Sequence, residues 1–263
     1  MKFLETALRY DIPVILNTKS TLTIKEPWFT LLTKMNEKKR ILVQYSLFTL
    51  NDLTAKKLEP YAPSPSERLR AIETLLDHDI PVVVRLQPLV PYLEDEILDT
   101  AKELSSTKIK GFIIESLRDT ISNISKIANI LGIDKEAFMN KFEKYMSTKG
   151  ELYTPSHKWR IQLYRSPDVI ARKSRKILSN CKEFLEPNKP IDCCLFWTTG
   201  SRYAVRPTLR ELLGLTKPVS NARLVYPSEF NKYPYIIKRG LKLHHNKLMK
   251  VFVNKEYYNI PSL

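Results

Sequence analysis

Four polar side chains stand where apolar runs end. NTKS (17–20) carries Lys19, ILVQYS (41–46) closes on Ser46, VVVR (82–85) closes on Arg85, and GFIIES (111–116) carries Glu115. A lysine, a hydroxyl, a guanidinium and a carboxylate gathered at one edge would suit a zwitterionic ligand with both a carboxylate and an amine. The same residues admit a second reading, in which an Arg85–Glu115 or Lys19–Glu115 ion pair closes that edge. A third group is Cys181, Cys193 and Cys194, spaced C-x11-C-C. Structural zinc sites use paired C-x2–4-C or H-x3–5-H arms, and these are missing. Two readings stand: an auxiliary metal or cluster site completed by His157 or the pair His244-His245, or free thiols packed as small apolar groups.

The first four residues share an edge only if the runs are parallel strands. Ile12–Thr18, Ile41–Leu47, Ile80–Leu86 and Ile109–Ser116 read as strands, and Glu26–Lys39, Ser64–Asp77 and Glu94–Leu104 as helices between them. The helix at Ser64 has a strong start signal. Ser64 caps it, Pro65 suits its first turn, and Glu67 completes a capping box. Strand and helix in alternation predict parallel strands joined by right-handed helical crossovers. DIPV occurs at 11–14 and again at 79–82, opening a strand each time. Lys19 lies five residues after Val14 and Arg85 three after Val82, so the two side chains fall on one face. In such folds ligands bind at the C-terminal ends of the strands.

The chain is 263 residues long and carries a formal net charge of +15. Residues 1–130 hold 18 Lys/Arg against 17 Asp/Glu, whereas residues 131–263 hold 25 against 11. These two ranges are the expected domains, a β/α unit and a basic C-terminal extension. A nucleic-acid partner is expected for residues 131–263; a lysine-rich solvated surface is the alternative. No apolar run reaches the roughly 20 residues needed to span a bilayer, and reduced cysteines fit the cytoplasm, so a cytoplasmic protein without a membrane partner is expected.

The extension reads as mostly helical, with Ile121–Leu131 and Asp134–Met146 as helices. Phe138, Phe142 and Tyr145 form the apolar stripe of the second. In YTPSHKWRIQLYR (153–165) basic and aromatic residues mix, which suits base stacking; an amphipathic helix after Pro155 that buries Trp159 and Leu163 is the other reading. Arg206–Leu213 is expected to be a short helix, and Leu243–Asn259 a hairpin turning at Asn254-Lys255.

The block from Gln44 to Pro91 resembles the middle of a radical S-adenosylmethionine (SAM) enzyme of the spore photoproduct lyase-like, DNA repair photolyase group. The resemblance rests on a strand ending in Ser46, then Glu59-Pro60, then S-P-x-x-R-L-x-A-I (64–72), then Arg85, Pro88 and Pro91 as R-x-x-P-x-x-P. NTKS (17–20) matches a strand end where that group places a lysine. A weaker likeness continues through Tyr153–Arg160 and Cys181…Asp192-Cys193-Cys194 to archaeal members. The resemblance implies an α/β fold, a partial (βα) barrel, with SAM bound at its mouth. It places Ser46 and Arg85 against the methionyl group of SAM, and Lys19 at another SAM contact. Glu115 has only its strand-end position in support.

The family also binds a [4Fe–4S] cluster through CxxxCxxC, and this chain has no such motif. DIPVILNTKS matches the family's third strand, so the resemblance implies an N-terminally truncated barrel. Radical chemistry is therefore expected only with a cluster-bearing partner polypeptide or a longer chain. A split gene, a misplaced start and a degenerate relative are the three explanations. The alternative function is a non-catalytic nucleic-acid-binding or partner subunit derived from the fold.

Overall fold

The computed structural model describes residues 1–10, 12–147, 150–180, 235 and 239. The chain opens on α1 (Lys2–Arg9), followed by β1 (Val14–Thr18), a 3-10 turn (Thr21–Ile24), α2 (Trp28–Glu37) and β2 (Ile41–Ser46). Next come α3 (Asp52–Leu58), α4 (Pro65–Asp77), β3 (Val82–Leu89), α5 (Glu94–Ser105) and β4 (Gly111–Ser116). Beyond them lie α6 (Ile121–Leu131), α7 (Lys135–Met139), the antiparallel pair β5 (Phe142–Ser147) and β6 (Gly150–Pro155), α8 (His157–Lys173) and β7 (Ile177–Asn180).

Five strands form one parallel sheet in the order β1-β2-β3-β4-β7. This is the expected α/β class, with each expected strand present in the first 120 residues. The capping box at α4 forms: Ser64 Oγ accepts from the Glu67 amide at 3.2 Å, and Glu67 Oε2 accepts from the Ser64 amide at 2.8 Å. The bond from the Ser64 backbone holds the Glu67 carboxyl below its ordinary range. Pro88 falls where the β3–β4 register shifts, between Leu86 and Leu89, a place where a missing ladder donor is tolerated.

Each face of the sheet has its own content. Strand side chains alternate, so Val43, Tyr45, Val82, Val84, Phe112 and Ile114 point one way and enter the main core with the helices. On the other face Ile15, Leu42, Val83 and Ile113 form a separate, small apolar cluster. Above that floor, on the same face, the strands turn polar. β1 is an edge: among the described residues it pairs with β2 alone.

Tyr45 belongs to the helix-side face and is fully buried. Its hydroxyl donates to the Ser20 carbonyl at 2.8 Å and hydrogen-bonds Thr23, fastening the turn after β1 onto β2. Burial pushes this phenol up to about 12, against the Thr23 hydrogen bond, which lowers it. The folded protein thus keeps a proton that the unfolded chain gives up near 10. The sign follows: Tyr45 contributes its full stability below pH 10 and loses it as pH rises toward 12. Tyr45→Phe is expected to cost about 1 kcal/mol at neutral pH and to flatten that alkaline decline. Urea unfolding across pH 9–12 measures both effects.

One expectation is corrected. Residues 134–146 do not form one helix: α7 stops at Met139, and Phe142 begins strand β5. Phe138 is fully buried, Phe142 packs on it with ring centroids 5.2 Å apart, and Tyr145 is 42% exposed. A spacing of three joins Phe142 and Tyr145 on a helix but separates them to opposite faces of a strand. Pairing with β6 decides the outcome. Glu59-Pro60 lies in the turn before α4, and ahead of it stands the short helix α3, which the sequence reading did not foresee. Asn51 caps it by accepting from the Leu53 and Thr54 amides.

The sheet continues past residue 130. Ile177–Asn180 pairs with Gly111–Ile114, and α8 carries the chain back to it. The amphipathic-helix reading holds for α8: Leu163 is buried, and Trp159 is half-buried with its indole Nε1 donating to Glu94 at 2.5 Å. The expected helix Arg206–Leu213, the hairpin Leu243–Asn259, His244-His245 and the three cysteines lie outside the described residues. No helix among the described residues is long and apolar enough to cross a membrane.

Candidate functional site

Each strand reaches the C-terminal edge of the sheet by the same physics. An apolar alternation buries the strand, and the last residues emerge above the floor, where polar atoms find partners. Parallel register sets Ser46 beside Arg85 and Arg85 beside Ile113. Gln44 lies two residues before Ser46, and Gln87 two after Arg85, so all four side chains share the face opposite the helices.

Arg85 is the centre of this row. Its Nη2 donates to Glu115 Oε2 at 2.6 Å, its Nη1 to Gln44 Oε1 at 3.0 Å, and its Nε to Gln87 Oε1 at 2.6 Å. Gln87 Nε2 in turn donates to Ser46 Oγ at 3.4 Å. The Arg85 side chain is 9% exposed, so these partners hold it in a mostly dry setting where the ion pair is strong. Glu115 also faces Arg118, whose Nη1 lies 3.5 Å from Oε1. The Arg118 guanidinium sits 5.5 Å from the centre of the Tyr145 ring on β5, which ties the hairpin to the end of β4.

Lys19 follows the end of β1 and continues its parity toward the same face. Its ammonium donates to Glu59 Oε1 at 2.6 Å. The other oxygen of Glu59 accepts from Arg68 Nη2, also at 2.6 Å. Arg68 is 1% exposed and fully engaged: Nε donates to the Pro63 carbonyl at 2.7 Å and Nη1 to the Ser46 carbonyl at 3.0 Å. Ser46 therefore meets Gln87 through its hydroxyl and Arg68 through its carbonyl.

The four sequence-predicted residues are linked in this way. Ser46, Arg85 and Glu115 join in one hydrogen-bonded row, and Lys19 reaches Ser46 through Glu59 and Arg68. Of the two ion pairs considered from sequence, Arg85–Glu115 forms, while Lys19 pairs with Glu59. Sequence reasoning assigned no role to Gln44, Gln87, Glu59, Arg68 or Arg118. Parity with Ser46 and Arg85 could have found the two glutamines. Cys181, Cys193 and Cys194 lie outside the described residues.

The residues in place fit the two cofactors of the implied chemistry unequally. A zwitterionic amino-acid moiety such as the methionyl end of SAM matches a row of guanidinium, hydroxyl and carboxylate; its carboxylate would compete with Glu115 for Arg85. Among the described residues no set of ligands fits an iron–sulfur cluster. The chain has no cysteine before Cys181, and no group of three His, Cys, Asp or Glu among the described residues could hold a metal ion. A cluster with an open iron needs three thiolates.

No family model matches the chain. An uncharacterized protein of Acidianus two-tailed virus, ORF301, is 28% identical over 145 residues, which cover 51% of this chain and 47% of that protein. Among solved structures, a point mutant of spore photoproduct lyase superposes with a TM-score of 0.50 at 13% identity, over 66% of this chain and 51% of that one. A double mutant of the same lyase, with bound AdoMet and dinucleoside spore photoproduct, gives 0.50 at 12% identity over the same shares. The chain spans about half the length of the relatives it matches. At these identities the likeness is one of fold: about two thirds of this chain is folded like part of spore photoproduct lyase.

Proposed function

We propose that the chain binds S-adenosylmethionine at the C-terminal edge of its sheet, through Lys19, Ser46, Arg85 and Glu115. The observation that carries this reading is the hydrogen-bonded row Ser46–Gln87–Arg85–Glu115, on a fold like that of a lyase one of whose structures holds AdoMet. Arg85 would take the ligand's carboxylate and Glu115 its ammonium, with Ser46 and Lys19 bordering them. The chain supplies binding and orientation. Radical cleavage of SAM belongs to an assembly in which a longer chain or a partner polypeptide brings CxxxCxxC and its iron–sulfur cluster. The substrate of that assembly is nucleic-acid-related, by the DNA repair photolyase likeness. The edge of β1, which pairs with β2 alone among the described residues, is where further parallel strands would join the sheet.

Calorimetric titration of SAM into the purified chain is expected to give a saturable signal that Ser46→Ala weakens about fivefold. Expression with the upstream reading frame is expected to add an iron–sulfur absorption band. A chain that stays iron-free and monodisperse in that experiment would count against the split assembly.

The charge distribution favours a second reading, a non-catalytic subunit that holds nucleic acid through residues 131–263. Oligonucleotide binding that weakens steeply with salt, in a chain with no affinity for SAM, selects it.

A further inference from the structure

Four residues from strand ends were expected at this site, yet the ionic contact that places Lys19 comes from elsewhere. We propose that Glu59, anchored by Arg68, is the positioning residue that sets Lys19 at the mouth of the sheet. Its consequence for ligand affinity rests on the reading of the mouth as a SAM site.

The geometry divides the two oxygens of Glu59 between a fixed cation and a mobile one. Arg68 is the fixed cation. It is 1% exposed, and Nη2 grips Glu59 Oε2 while Nε and Nη1 are bound to the Pro63 and Ser46 carbonyls. A planar guanidinium held at three points cannot turn, so it dictates where the Glu59 carboxylate sits. That carboxylate, 10% exposed, presents Oε1 to Lys19 at 2.6 Å. Lys19 is the mobile cation, 39% exposed on a flexible four-carbon stem. Without Glu59 the ammonium would sample many rotamers over the edge of the sheet. With it, a chain of bonds runs from the Ser46 carbonyl through Arg68 and Glu59 to the Lys19 ammonium, spanning the ends of β2 and β1. Ser46 and Lys19 are thus held at fixed separation by residues of the α3–α4 segment.

The obvious alternative is an ordinary half-exposed ion pair that orders nothing. Two measurements separate the readings, and neither uses a variant that removes Arg68. The first is 15N relaxation of the Lys19 ammonium, identified by its absence in Lys19→Met. In the wild type it is expected to be more ordered than the exposed Lys108 ammonium. In Glu59→Gln, which keeps an acceptor for Arg68, it is expected to fall to the Lys108 level. Unchanged order in Glu59→Gln overturns the proposal, whatever the chain binds.

The second is a double-mutant cycle on SAM affinity. Glu59→Gln alone is expected to weaken binding about twofold to fivefold, with no further loss in the Lys19→Met background. Losses that add in the double variant overturn positioning through Lys19. Absence of any SAM binding by the wild type overturns the SAM reading alone, because ammonium order is measured without ligand.

Discussion

Arg68→Ala is expected to destabilise the protein by about 3–5 kcal/mol, the largest loss of any single substitution among the polar residues of the site. The side chain is 1% exposed and spends three N–H groups on fixed acceptors. Its removal leaves the Ser46 and Pro63 carbonyls without those donors and Glu59 with Lys19 alone. Each buried acceptor so orphaned costs roughly 1–3 kcal/mol, which sets the scale. A guanidinium-sized void beneath the loop adds to it. Urea unfolding followed by circular dichroism measures the loss. Arg68→Lys should recover less than half of it, since an ammonium cannot serve three diverging acceptors. A cost below about 1 kcal/mol would mean the loop repacks and the bracket between β1 and β2 is dispensable.

Arg85→Ala is expected to lower SAM affinity by about 30-fold to 150-fold, because a charge-assisted hydrogen bond in a mostly dry setting is worth about 2–3 kcal/mol. Stability should fall less than for Arg68→Ala. Glu115 keeps Arg118 at 3.5 Å, and the two glutamines that held Arg85 can turn to other partners. Arg85→Lys is not a rescue: the three partners of Arg85 diverge from a plane that a lysine does not present. Calorimetry on the folded variants reads the affinity, and unfolding curves confirm that the fold is intact. An affinity within about threefold of wild type would move the ligand away from this row.

Parity explains why part of the site was legible from sequence. Strand side chains alternate, so knowing where VVVR and ILVQYS begin is enough to place Arg85 and Ser46 on one face. The same rule reaches Gln44 and Gln87, which sequence reasoning passed over because an uncharged amide does not stand out at a strand end. Glu59 and Arg68 needed more. They stood in the sequence as parts of Glu-Pro and S-P-x-x-R-L, but their meeting with Lys19 depends on how α3 and α4 pack. No local pattern encodes that contact. The strands failed where periodicity was ambiguous. Phe138, Phe142 and Tyr145 satisfy a helix, and the hairpin that overrides it is set by pairing with Gly150–Pro155. Short α3 was missed for the opposite reason, having too few residues to show a period.

The order of the strands has a consequence for how the molecule comes to be built. β1 to β4 are neighbours in space in the sequence in which they are made, so each new strand docks on one already present. Contacts of this local kind close small loops and form quickly. β7 differs, since it must return across the whole excursion from Leu117 to Lys176 before it can pair with β4. The four strand-end residues, from Lys19 to Glu115, belong to the early segment. During synthesis this polar edge of the sheet can therefore assemble before the basic C-terminal residues have emerged.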